Sequence, residues 1–381
     1  MDFEALLKLM VQKKASDLFI TAGMPPSIKI NGKIMPVTQR SLNGEKSREV
    51  VLSVMNEEQR REFARAHECN FAISASGIGR FRVSAFQQRN EVGMVLRRIE
   101  TTIPTLDELR LPAVLKKLSL TKRGLIIFVG ATGTGKSTSL AAMIGYRNKT
   151  TSGHIITIED PIEFVHQHSK CIITQREVGL DTESFETALK NTLRQAPDVI
   201  LIGEVRASET MDYAVAFAET GHLCMCTLHA NNANQALDRI IHFFPEEKRH
   251  QLLLDLSLNL RAIIAQQLIP TPDGKGRRAA IEVLINTPLV ADHIRKGEMH
   301  LIKDLMAKST EHGMQTFDQA LFRLFKSGEV TYEDALHHAD SPNDLRLMIK
   351  LDSSEQDPEL QIGGGAAASM SLEETEDDPF A

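Results

Sequence analysis

Residues 125–137 read LIIFVGATGTGKS. Five apolar residues of strand length run into a glycine-rich turn, and STSLAAMIGY, of helical character, follows. Gly130–Ser137 satisfies the pattern G-x-x-x-x-G-K-[ST] in full, and it stands where that pattern has meaning, after a strand and before a helix. Around Gly130, Thr132, Gly133, Thr134 and Gly135, backbone N–H groups can cradle phosphate oxygens. The helix that begins at Lys136, Ser137 and Thr138 adds partial positive charge at its N-terminus. Lys136 is placed to reach the β- and γ-phosphates of a nucleoside triphosphate, and the Ser137 hydroxyl to sit on Mg²⁺. A chance glycine-rich turn would not have both flanks right.

The chain around this loop has the matching period. From Gly124 onward, GLIIFVG, HIITIED, DVILIGEV, HLCMCTLH and RRAAIEVLIN alternate with helical stretches near 136–147, 184–195, 209–219 and 234–242. Near-continuous apolar strands are buried on both faces, which predicts a parallel α/β sheet. Residues 246–350 read as mostly helical. Upstream, residues 1–100 form a separate α+β pattern. A helix over Asp2–Gln12 precedes short strands in DLFITAG, SIKING and KIMPV, with a hairpin signal at Asn31-Gly32. A helix over Gly44–His67 then leads into three antiparallel strands with turns at Ser76-Gly77 and Arg89-Asn90. Residues 101–120 read as a connector with a cap-like Thr105-Leu-Asp-Glu and a short helix after Pro112. Residues 351–381 are an acidic tail around GGGAAAS, a flexible composition expected to be disordered. The expected division is thus 1–100, 101–120, 121–350 and 351–381.

Bulk properties narrow the function. The chain has 381 residues, 42% hydrophobic and 25% charged, ordinary for a soluble globular protein. Its net charge is −6, but nine acidic residues and no Lys or Arg follow Lys350, so the body is near +3. A near-neutral body with no Trp and three Tyr speaks against a nucleic-acid motor. The N-terminus lacks a signal peptide's basic and apolar regions, and no run approaches the ~18 apolar residues of a membrane span. Four cysteines without scaffold spacing fit a reduced, cytoplasmic compartment.

A triphosphate site needs carboxylates. The strand in DVILIGE ends on Glu204, at the sheet edge where ligands of open α/β sheets bind, which makes Glu204 the candidate metal-side carboxylate. Gly203 stands where an acidic pair is usual. TIEDPIE supplies Glu159, Asp160 and Glu163, with Glu163 the candidate general base, although an exposed acidic turn would read the same. Arg80, Arg82, Arg97 and Arg98 sit on strands of the first region and could reach a nucleotide from outside; surface ion pairing is the plainer reading. In GHLCMCTLHAN, residues 221–231, His222, Cys224 and Cys226 share a strand face and His229 lies on the other. Four convergent zinc ligands do not follow from that pattern, and buried cysteines serve as packing units. His229 falls at the nucleotide edge and His222 at the opposite edge.

The four segments GATGTGKS, TIEDPIEF, APDVILIGEVR and TGHLCMCTLHANN, in this order, resemble the Walker A, Asp, Walker B and His boxes of the secretion ATPase superfamily of type II secretion and type IV pili. With SDLFITAGMPP near the start, the resemblance covers about residues 1–350. It implies a PAS-like N-terminal α+β domain followed by a RecA-like P-loop NTPase domain with a helical C-terminal part. It also implies ATP and Mg²⁺ as cofactors and a homohexameric ring. By its short N-terminal region, and with no four-cysteine motif, the chain is similar to the PilT and PilU type of retraction motor. LVADHIRKGE, residues 289–298, departs from the PilT-type AIRNLIRE, and with the acidic tail this resembles the PilU type. Arg206-Ala207 replaces a common Arg-Asp. Carried over residue by residue, the resemblance implies catalytic roles for Glu163, Glu204, Lys136, His229, Arg82 and Arg97, nucleotide contact for His222, and Mg²⁺ at Ser137 and Glu204. Implied partners are a PilT-like retraction ATPase and the inner-membrane platform protein, at the inner face of the cytoplasmic membrane. An auxiliary subunit of a PilT-like ring and a pilus-assembly or type II secretion ATPase are the alternatives.

Overall fold

Asp2 accepts a hydrogen bond from Ala5 N–H and so caps α1 (Phe3–Gln12), which buries Leu6, Leu7 and Met10. The computed structural model describes residues 2–30, 32–99 and 102–355. Three short strands follow, β1 (Asp17–Ile20), β2 (Ser27–Ile30) and β3 (Lys33–Pro36). Ile30 pairs Lys33 across the expected two-residue turn, whose Asn31 lies outside the described residues, as does the tail from Gln356 on.

The single helix expected over Gly44–His67 is two, α2 (Gly44–Ser53) and α3 (Glu57–Ala66). Asn56 and Gln59 form a reciprocal capping box that starts a new helix. The signal is present in the sequence, hidden inside a continuous helical period. Then come β4 (Glu68–Ala75), β5 (Gly79–Gln88) and β6 (Glu91–Ile99), in a six-stranded sheet of order β3-β2-β1-β6-β5-β4. Arg89 and Asn90 both take positive φ, the geometry of a tight two-residue hairpin. Met10, Leu18, Phe71, Phe81, Val83 and Leu96 are among the buried side chains of this PAS-like layer.

Glu108 and Thr105 cap each other in the connector, ahead of α4 (Val114–Ser119). The second sheet contains β7 (Gly124–Val129), β8 (Gly153–Glu159), β9 (Cys171–Glu177), β10 (Val199–Ile202), β11 (Leu223–Leu228), β12 (Leu260–Pro270) and β13 (Arg277–Ile285). Their order is β13-β12-β7-β11-β10-β8-β9, with β12 through β9 parallel. Helices α5 (Lys136–Thr150), α6 (Phe185–Thr192), α7 (Ser208–Glu219), α8 (Ala233–His242) and α9 (Glu246–Asn259) lie between the strands in sequence. After β13 follow α10 (Pro288–Lys296), α11 (Ile302–Lys308), α12 (Phe317–Lys326), α13 (Tyr332–His337) and α14 (Pro342–Glu355). Every residue of β7, β10 and β11 is buried, as continuous apolar runs in a RecA-like sheet must be.

Two strands depart from the sequence reading. β12 was expected as helix, because α9 passes into it at Leu260 with no Gly or Pro between. β9 escapes the apolar pattern because it is an edge strand, and its Ile172 is 64% exposed.

By contacts the chain forms two units. The first holds the six-stranded sheet and the second sheet apart from the end of β12 and the start of β13, in residues up to Leu268 together with Ala279–Thr316. The second holds Ile269–Arg278 and the described residues from Phe317 on. Within the second, the buried Asp318 carboxylate accepts from the N–H groups of Asp340 and Ser341 and so fixes the approach to α14.

Candidate active site

Because β7, β8, β10 and β11 are parallel and in register, the residues that follow them emerge at one edge. Val129 pairs Leu228, and Ile202 pairs both Cys226 and Ile158. Segments spread over a hundred residues of sequence therefore converge.

The loop Gly130–Gly135 closes tightly on β12. A Cβ on Gly130 would stand 2.6 Å from the Gln266 carbonyl oxygen, and one on Gly135 2.8 Å from Gln266 Nε2. Gly135 caps α5 in the left-handed region with no side-chain cap bond, so the helix N–H groups stay available to an anion. Lys136 is only 8% exposed, and its Nζ donates to the carbonyls of Gly130 (2.7 Å) and Ala131 (2.8 Å). Burial pushes its pKa down, while the charges of Glu204 and Glu163 oppose that shift. Thr132 is exposed, and Thr134, Ser137 and Thr138 are half-buried around the loop. Gln266 braces it from below: Ser139 Oγ donates to Oε1 and Nε2 donates to the Thr134 carbonyl, both at 2.8 Å.

Glu204 is held on both sides. Thr227 Oγ1 donates to Gly203 O at 2.6 Å, and Val205 N–H donates to Thr227 O at 2.8 Å. Its carboxylate pairs with His229 Nε2 at 2.8 Å and with Arg206 Nη2 at 2.6 Å. The unusual Gly203 has a steric cause: a Cβ there would lie 3.0 Å from Glu159 Cα and 3.2 Å from Ile158 O. Ala207 is the N-cap of α7 and makes no side-chain cap bond. An Asp there would supply one, so the Arg-Ala departure gives up a cap as well as a charge.

Glu163 is exposed and lies within electrostatic range of Lys136. Beside it, Glu159 accepts from Thr157 Oγ1 at 2.6 Å, and burial pushes its carboxyl up to about 7. Lys136, Glu163, Glu204 and His229 are thus brought together.

The arginines are not. Arg82 and Arg97 face each other across β5 and β6, but Arg82 pairs with Glu177 at 3.2 Å and Arg97 with Asp17 at 2.9 Å. They line a cavity of about 730 Å³ that also takes in Asp160 and Glu177. His222 is at the far end of β11, where Gly124 N–H donates to its carbonyl and its ring meets Thr220 Oγ1 at 3.1 Å. At ~3.3 Å per strand residue it is roughly 20 Å from the loop. His222, expected to contact nucleotide, is thus not among the groups gathered at the loop edge. Cys224 and Cys226 are fully buried, and burial pushes the Cys226 thiol up to about 12, which disfavours a metal-binding thiolate.

With this geometry, comparison with known proteins is specific. The profile of the family described as type II/IV secretion system protein matches residues 2–329. The chain belongs to that family. The type IV pilus ATPase PilU of Pseudomonas aeruginosa is 73% identical over 379 residues, spanning 100% of this chain and 98% of the relative. The type IV pilus retraction ATPase PilT of the same bacterium is 40% identical over 345 residues, spanning 91% and 100%. A crystal structure of the pilus retraction motor PilT with bound ADP superposes with a TM-score of 0.85 at 40% identity, over 91% of this chain and 99% of that one. This family member is a nucleotide-binding ATPase of the PilU-like kind. Gln266, Gln175 and Arg206 were not singled out as site residues. The first two lie on the strands that the apolar pattern missed.

Proposed function

We propose that this secretion ATPase family member is a Mg²⁺-dependent, homohexameric motor whose ATP hydrolysis drives type IV pilus retraction and twitching motility beside a PilT-like retraction ATPase. The convergence of Lys136, Glu163, Glu204 and His229 on one sheet edge carries the reading. Similarity to PilU along the whole chain supports it.

Lys136 exchanges the carbonyls of Gly130 and Ala131 for the β/γ-phosphate oxygens, an ammonium meeting a stronger acceptor. The N–H groups of Gly130, Thr132, Gly133, Thr134 and Gly135 line the same oxygens, with Ser137 and Thr138 at the helix start. Ser137 and Glu204 offer hard oxygen donors suited to Mg²⁺. Bound there, the ion would neutralise charge on the transferred phosphoryl group. Glu163 takes the proton of the attacking water. His229, bonded to Glu204, holds that carboxylate and senses the γ-phosphate side. Arg82 and Arg97 give up Glu177 and Asp17 for phosphate as the crevice closes.

Residues 1–100 act as the PAS-like domain, 101–120 as the linker and 121–350 as the RecA-like motor, and α14 carries the motor on to Glu355, ahead of the acidic tail. Among the described residues no helix is long and apolar enough to cross a membrane. Work at the inner face of the cytoplasmic membrane then goes through the platform protein. The test is pilus retraction under load in cells lacking this chain, its PilT-like partner, or both. Loss of force without this chain, and no retraction without the partner, is the expected pattern. Unchanged force on deleting this chain, or full retraction without the partner, overturns the proposal.

A further inference from the structure

Glu163 is an exposed residue on a loop, residues 160–170, that joins β8 to β9. A loop without braces is a poor mount for a group that must stand within hydrogen-bond reach of a water molecule. Backbone groups before and after Glu163 are nonetheless held by side chains of β9. Ile162 N–H donates to Glu177 Oε2 at 3.3 Å. Phe164 O accepts from Gln175 Nε2 at 2.9 Å, and His166 N–H donates to Gln175 Oε1 at 2.7 Å. The other Nε2 proton of Gln175 goes to Glu159 Oε1 at 3.2 Å.

Gln175 is the centre of this network. Its amide joins the loop at two points just after Glu163 and also binds the Glu159 carboxylate at the end of β8. Turning the amide over would set its oxygen against two acceptors and its nitrogen against a donor, so one orientation fits. Its register partner on β8 is Thr157, whose hydroxyl serves the same Glu159. Burial pushes the His166 imidazole down to about 4, so the loop's far anchor is neutral at pH 7. None of these bonds involves Gly130–Ser137.

We infer that Gln175 is a positioning residue for Glu163, a brace on the edge strand that aims the candidate base without touching nucleotide. The inference rests on Glu163 acting as the base. Misplacing a reacting group by ~1 Å costs up to about 100-fold in rate. Gln175→Met keeps the length of the side chain and removes every bond of the brace; Gln175→Ala removes the side chain as well.

The experiment measures ATP turnover, ADP affinity and thermal unfolding for the full chain and for both Gln175 variants, alone and in a Glu163→Gln background. The expected result is a kcat lowered about 10- to 100-fold by either Gln175 substitution. KM for ATP and the Kd for ADP should stay within about twofold of the parent, and the added substitution should cost nothing further in the Glu163→Gln background. A kcat at the parent level, a weakened ADP affinity, or a further independent loss in the Glu163→Gln background overturns the inference and leaves the base assignment standing. Full turnover by Glu163→Gln alone overturns the base assignment and the inference with it.

Discussion

Two loops meet at the C-terminal edge of the second sheet, and they are built by different means. Gly130–Gly135 is shaped mainly by its own glycines and by Lys136 folding back onto its carbonyls. The segment after β8 has no such internal order. Gln175 and Glu177, both on β9, hold its backbone. The first is a local motif that carries its geometry in contiguous sequence. The second exists only once β9 has paired with β8. A phosphate cradle can be written in eight residues, whereas the aim of a base depends on tertiary neighbours.

The comparison breaks most readily at Gln266, a brace of the first loop that is not local. Gln266→Leu keeps the bulk but leaves the Thr134 carbonyl and the Ser139 hydroxyl without their partner. Each buried group so orphaned costs about 1–3 kcal/mol. The expected outcome is a clearly lower Tm and about tenfold weaker ADP binding, read by thermal unfolding and calorimetry. An unchanged ADP affinity would make the phosphate loop self-sufficient and sharpen the contrast.

A smaller effect is expected from Glu159 in the second loop. Burial raises its folded-state pKa from the ordinary 4.5 to about 7, so between those values the folded chain holds a proton that the unfolded chain has lost. That contribution to stability is complete below about 4.5 and fades as pH rises through 7. Glu159→Gln should therefore flatten the fall in Tm between pH 5 and 7.5. An equally steep fall in the variant would place the titration elsewhere.

The same contrast explains what could be read from sequence. The loop, Glu204 and His229 were legible because each directly follows a buried apolar strand, and parallel pairing brings such ends to one edge. Glu163 was legible as a candidate, since TIEDPIE ends a strand. The braces of the two loops were not, because Gln175 and Gln266 are neutral amides, the first on an edge strand and the second on a strand whose start no Gly or Pro marks. The place of Gly203 also needed coordinates, because the obstacle to a side chain is the backbone of β8. The arginines show the opposite limit. Their strands and pairing follow from the sequence, yet a charge does not name its partner, and Glu177 and Asp17 are the ones they meet.

ATP turnover by the purified Lys136→Ala chain tests the central assignment most directly. The expected result is hydrolysis at the level of a protein-free control, with thermal unfolding close to that of the parent. Turnover near the parent level in a folded Lys136→Ala chain would contradict the assignment of Gly130–Ser137, and of the groups gathered around it, as the hydrolytic site.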